Sequence, residues 1–178
     1  MKFLIPLIIT SSLFAGVFTE SQKESLNEAY HIGKQMKAND GMTFEQALRS
    51  IAFSESSAGR FLVGDVHSSK DPFKASHGVY HVRFKTAREI IKKDKWMNNH
   101  FAYLLKDDNE LLRMLQEESR FGALIASTYL KMNYNHALKN NIENPWERAV
   151  SRYNGGNNNV VYIAKIRKNM KLIKKEIK

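Results

Sequence analysis

The chain has 178 residues, a formal charge of +10 at pH 7 and no cysteine, which excludes disulfides and cysteine-ligated metal. Its length allows one domain with a core of its own. Seven of the positive residues fall within the last fourteen positions, Lys165 to Lys178, and that balance favours polyanionic partners: nucleic acid, anionic membrane or an anionic envelope polymer.

Residues 1–19 open with one lysine, run through an apolar middle broken by Pro6, and reach small residues near Ala15. The pattern predicts a secretory signal peptide, with a short uncleaved anchor as the rival. It is shorter than the about 20 apolar residues of a membrane span, and without cysteine it offers nothing for lipoprotein acylation. The expected location is the periplasm or the extracellular space, with association at a membrane surface as a variant, and 20–178 form the expected single domain.

Leu26, Ala29, Ile32 and Met36 recur at helical spacing over 21–39, and Gly41 after Asp40 supplies a stop. Gly33 weakens that helix, since glycine costs roughly 1 kcal/mol there relative to alanine. Thr43 with Gln46 has capping-box spacing, and Phe44, Ala47, Leu48, Ile51 and Ala52 give the next helix one apolar stripe. Glu55 continues that stripe, four residues after Ile51 and eight after Ala47.

From Gly59 to Gly78 glycine, proline, serine and aspartate break the pattern, which predicts loops with short strands at Arg60–Val66 and Val79–Phe84. Helical spacing returns at Phe84, Ala87, Ile90 and Ile91, again from Trp96 to Leu105, and after a cap at Asn109 through Leu111, Leu112 and Leu115. A long buried helix is expected around Phe121, Leu124, Ile125, Thr128 and Met132, where Ala123, Ala126 and Ser127 permit close packing. Asn144-Pro145-Trp146-Glu147 reads as a helix start with Asn144 as cap and Glu147 reaching back. Asn154-Gly155-Gly156 ends that helix, and a last one carries Val160, Ile163, Met170 and Ile173. The expected fold class is therefore mainly α, with a small strand and loop region after the helix that bears Glu55.

His77 and His81 are four apart, but Gly78 and the alternation after it disfavour a shared helix face and no carboxylate supplies a third ligand; no metal and no cofactor is expected. No glycine-rich stretch has phosphate-loop spacing. The tyrosines fall on the stripes of leucine and isoleucine rather than forming a stacking platform, so nucleic acid is not the expected partner.

Four segments, in order, carry a resemblance: Glu55-Ser56; Gly78-Val79-Tyr80-His81 leading to Thr86-Ala87; Tyr129-Leu130; and Arg152-Tyr153-Asn154-Gly155-Gly156. They resemble the soluble lytic transglycosylases, lysozyme-like α+β enzymes that cleave the glycan of peptidoglycan, which usually show Glu-Ser, Gly-Leu-Met-Gln, Tyr-Leu and Ala-Tyr-Asn-Ala-Gly. The likeness runs from about residue 43 to 167. It implies Glu55 as catalytic acid and Ser56 as the residue that holds its setting. It further implies Gly78, Tyr80 and His81 along the sugar groove, Tyr153 and Asn154 beside the acid, and Tyr162 as the further tyrosine of the family. His81 replaces the usual glutamine, Tyr80 the methionine, and Gly122 with Ala126 the usual Asn-x-x-x-Gly. The implied reaction breaks the β-1,4 bond between N-acetylmuramic acid and N-acetylglucosamine and leaves 1,6-anhydro ends. A hydrolytic muramidase and a non-catalytic peptidoglycan-binding or assembly protein are the alternatives. Peptidoglycan strands are the implied partner. An anionic envelope surface is added by the basic C-terminal helix, and secretion or cell-wall machinery is a further partner class.

Overall fold

A computed structural model describes residues 17–64 and 71–177. The expected leader lies outside the described residues except for its last three. Of these, Phe18 is buried edge-on against Phe53 at 5.2 Å between ring centroids, and Thr19 caps the first helix.

The fold is mainly helical, with one small antiparallel sheet. Helix α1 (Glu20–Gln35) starts in a capping box between Thr19 and Gln22, and α2 (Glu45–Ser56) packs against it. Gly33, which weakens α1 as an isolated helix, sits directly against the backbone at the start of α2: a Cβ there would lie 2.6 Å from the Glu45 Cα. The glycine thus trades helix propensity for close approach of two backbones. Arg49, buried between them, donates from Nε to the Leu26 carbonyl at 3.0 Å and lies over the Tyr30 ring, 4.9 Å from its centroid.

Strands β1 (Val63–Gly64), β2 (Ser76–His77) and β3 (Val82–Arg83) pair in the order β1-β2-β3, with Val63 opposite His77 and His77 opposite Val82. Of the expected strands only Val63–Gly64 and Val82–Arg83 are paired, and the strand between them, Ser76–His77, falls in the stretch expected to be loop; Val66 lies outside the described residues. The alternation from Val79 breaks because Val79 and Tyr80 turn into the core and His81 takes a left-handed φ of 45°.

Next come α3 (Phe84–Lys93), α4 (Lys95–Phe101), a 3₁₀ turn (Ala102–Lys106), α5 (Asp108–Glu117), the long α6 (Ser119–Lys139), α7 (Pro145–Tyr153) and α8 (Val160–Glu176). Helix α6 is the centre of the bundle: Phe121, Ala123, Ile125, Ala126, Leu130 and Ala137 are all buried, and α1, α3, α5 and α7 pack on it. Its small side chains let neighbours sit on several sides of one helix.

Three helix starts differ from expectation. Thr43 pairs with Lys37 in an isolated bridge, so Phe44 precedes α2 without a side-chain cap. Asp107, not Asn109, caps α5 through the amides of Asn109 and Glu110. Asn144 precedes α7 in a left-handed conformation and makes no side-chain cap, while Glu147 reaches outward to Arg167 at 2.6 Å. At Thr43 a tertiary partner, and at Asn144 the backbone geometry, overrides the local capping preference, whereas at α5 the cap is simply an earlier residue of the same capping class.

Candidate active site

Glu55 ends the apolar stripe of α2, where the helix stops because Ser57 turns left-handed at φ 54°. Its side chain is 17% exposed and lies on a cavity of about 500 Å³. The tip of α2 forms one wall, the small sheet and α3 a second, and α6 with the end of α7 a third. Gly64, His81, Thr86, Tyr129, Arg152 and Tyr153 mark its extent.

The two carboxylate oxygens face different groups. Oε1 accepts from the Tyr162 hydroxyl at 2.6 Å, a short charge-assisted bond brought to α2 by the buried face of α8. Burial, then the negative charge of Glu55, pushes the Tyr162 hydroxyl far above the ordinary tyrosine range, so Tyr162 stays a donor.

Oε2 lies 3.8 Å from Nδ1 of His81, beyond hydrogen-bonding distance. The other ring nitrogen, Nε2, is 2.9 Å from the Phe61 carbonyl. A carbonyl only accepts, so Nε2 carries a hydrogen, and Nδ1 is the ring nitrogen that faces Glu55. Gly64 makes room for this ring, since a Cβ there would come within 2.8 Å of Nδ1 and 2.4 Å of the Ser76 hydroxyl.

Ser56 does not reach the cavity. It is fully buried, donates to the Val79 carbonyl at 2.6 Å and accepts from the Gly59 amide at 2.8 Å, tying the end of α2 to the turn that leads into His81. Gly78 is also outside the cavity; its φ is 72° and a Cβ would meet the Leu115 carbonyl at 2.3 Å. Tyr80, expected along the groove, is instead fully buried in the core. What connects it to the site is its carbonyl, which accepts from the Tyr153 hydroxyl at 2.8 Å. Burial, with Glu55 second, pushes the Tyr153 hydroxyl well up, so this donor too keeps its proton. Asn154 lines the cavity, and its Oδ1 accepts from the Asn159 side chain at 2.9 Å.

The cavity thus gathers Glu55, His81, Tyr153 and Asn154, with Tyr162 behind the acid and Ser56, Gly78 and Tyr80 in the supporting structure. Tyr129, Arg152, Arg83 and Thr86 also line it and were not singled out from the sequence as site residues. Tyr129 follows Ile125 by four and Ala126 by three on α6, a helical face that carries the same signal whether it meets core or cleft.

His77 has a different role. It is buried; Nε2 donates to the Pro72 carbonyl at 2.6 Å, and Nδ1 faces the Gln116 amide at 3.3 Å. The described residues contain no cluster of three or more histidine, cysteine, aspartate or glutamate side chains placed to hold a metal ion, and no helix among them is long and apolar enough to cross a membrane.

Compared with known proteins, the chain matches no family model, no curated sequence and no solved structure.

Proposed function

We propose that the protein cleaves the glycan of peptidoglycan as a lytic transglycosylase on a lysozyme-like fold, with Glu55 serving first as acid and then as base. The observation that carries this reading is the setting of Glu55: largely shielded, on a cavity wall, with one oxygen held by a tyrosine that keeps its proton. Glu55 is also the only carboxylate among the described residues that line that cavity. Asp65, a candidate second carboxylate, lies outside the described residues, and Asp71 does not line the cavity.

One carboxylate suffices for the proposed chemistry. Protonated Glu55 gives its proton to the glycosidic oxygen as the C1–O bond of muramic acid breaks, while the N-acetyl oxygen of that sugar bonds to C1. The carboxylate then takes the proton of the C6 hydroxyl, whose oxygen attacks C1 and displaces the N-acetyl oxygen. The product is a 1,6-anhydro ring, no water is consumed, and Glu55 ends protonated as it began. The C6 hydroxyl competes with water because it belongs to the bound ring, an advantage that reaches about 7–11 kcal/mol in well-oriented intramolecular reactions. The substrate places the protein in the periplasm or outside the cell.

Digestion of purified sacculi tests the reading. The wild-type protein should clear turbidity and leave anhydro-muramic ends, and Glu55→Gln should lower the rate by about a hundred- to ten-thousandfold, as expected for loss of a general acid–base. Free reducing ends would assign hydrolysis instead. Equal clearing by both proteins would remove Glu55 from the mechanism, and binding without clearing by the wild type would assign a glycan-binding role.

A further inference from the structure

The body of the protein begins inside the stretch that reads as a leader. Phe18 is 3% exposed and belongs to the main core, with its ring edge-on against Phe53 of α2. Thr19 accepts from the Gln22 amide at 3.2 Å while its own amide donates to the Gln22 side chain at 2.9 Å, so the first turn of α1 is capped from the residue before it. Gln22 Nε2 then donates to the Ser57 carbonyl at 2.9 Å, two residues beyond Glu55. Val17, by contrast, is 56% exposed. From Phe18 onwards the chain is bound into the fold, and it is bound to the tip of the helix that carries Glu55.

That boundary bears on where a leader can be cut. A signal peptidase hydrolyses the bond after a small residue that follows an apolar run, with a second small residue two places earlier. Taken as a pair, the side chains of Val17 and Thr19 favour the bond after Thr19. A cut there would remove Phe18 from the core and Thr19 from its cap together. The bond after Ser12 would leave a leader of twelve residues, below the about 15 of the shortest signal peptides. The bonds after Ala15 and Gly16 remain. They place Leu13 and Phe14, respectively, two positions earlier, and leucine is the smaller.

We propose that the chain is exported and cut by a signal peptidase between Ala15 and Gly16, so that the mature protein begins two residues before Phe18. Water adds across that peptide bond and leaves a carboxylate on Ala15 and an amino group on Gly16. The cut has a positional consequence. In the uncut chain a leader held in a bilayer is joined to Phe18 by Gly16 and Val17 alone, at most about 7 Å of chain, and the tip of α2 with Glu55 is kept at the membrane. Cleavage releases that helix with the rest of the body. The proposal stands on the leader pattern and the packing of Phe18, and it is independent of the chemistry assigned to Glu55.

The full chain, expressed in a bacterium with an export pathway, tests this by N-terminal sequencing and intact mass of the product. Gly16 should be the first residue, and Ala15→Tyr should abolish the cut so that only chain beginning at Met1 accumulates. Phe18→Ala should leave the cut in place and lower the thermal midpoint of the mature protein by roughly 5–15 °C, as loss of a buried aromatic ring does. A first residue other than Gly16, or ordinary processing of the Ala15→Tyr chain, would overturn the assigned bond. A first residue at Glu20 or later, or an unmoved midpoint in Phe18→Ala, would overturn the place of Phe18 in the mature body. Wild-type chain that keeps Met1 and sediments with membranes would overturn the cleavage in favour of an uncleaved anchor.

Discussion

Tyr162 touches the Glu55 carboxylate but does not line the cavity, so its contribution separates from contact with a ligand. It is buried, 5% exposed, and Phe in its place keeps the ring packing while removing the 2.6 Å bond to Oε1 of Glu55. Hydrogen bonds to charged groups are worth about 1.5–3 kcal/mol, so if that bond positions Glu55 in the transition state, Tyr162→Phe should lower kcat about 10- to 100-fold. On the proposed function KM should move little, because no residue that lines the cavity is changed. Initial rates of sacculus clearing over a range of substrate concentrations read both constants, and an unchanged kcat would mean that Glu55 holds its position without the tyrosine. His81 poses the complementary case: its Nε2 bond to the Phe61 carbonyl at 2.9 Å fixes Nδ1 as the nitrogen that faces Oε2, 3.8 Å away.

The junction of α3 and α4 shows how an element boundary can hold a charge. Asp94 ends α3 and caps α4, accepting from the Met97 amide at 3.0 Å and from Lys131 of α6 at 2.8 Å. Desolvation raises its pKa, but the Lys131 bond, the Met97 amide and the Lys131 charge outweigh it and leave the group below its ordinary 3.8. Because the folded value is the depressed one, the unfolded chain takes up the proton first as pH falls. The stabilisation is complete above the unfolded value and is lost as pH drops through the folded one. Asn at position 94 retains an acceptor for the cap but not the ion pair, and Asp94→Asn should cost about 1–3 kcal/mol at pH 7. In urea unfolding the difference from wild type should shrink as pH falls below 3.8 and on through the lower folded value; a gap that persists in acid would assign the cost to packing. Elements with strong 3.6-residue periodicity, such as α3 around Phe84, Ala87, Ile90 and Ile91, were legible in the sequence because burial of one face dictates the pattern. Thr43 and Asn144 carried good local capping signals that were overridden, by a bridge to Lys37 and by a left-handed backbone. The strands are two residues each, too short for alternation to register, and their pairing is set by the tertiary turn at Tyr80 and His81. At the site the apolar stripe pointed to the shielded position of Glu55. No single-chain pattern distinguishes Tyr80, which fills the core, from Tyr129, which faces the cleft, because both are aromatics among apolar neighbours.

At the scale of the molecule, part of the chain's positive charge, +10 in all, is gathered on one face of α8. On α8 the residues Val160, Val161, Ala164, Lys168, Lys171 and Lys175 are exposed and fall, at 100° per residue, within about one third of the helix circumference. The opposite face, with Tyr162, Ile166 and Ile173, is buried against the body. The lysine face therefore points away from Glu55, and a surface docked on it would leave the cleft uncovered. Removing the last eight residues is a poor way to probe this face, because Ile173 and Ile177 belong to the core and their loss would unsettle the fold. Charge reversal avoids that difficulty. Basic residues near an anionic bilayer contribute about 1 kcal/mol each, so Lys168→Glu, Lys171→Glu and Lys175→Glu together should weaken binding to phosphatidylglycerol vesicles by roughly a hundredfold or more. The changes are exposed and should leave the thermal midpoint nearly unmoved. Vesicles of phosphatidylcholine alone serve as the uncharged control. If the triple variant binds acidic vesicles as tightly as the wild type, the lysines are a solvated face and the charge serves only to keep the chain soluble.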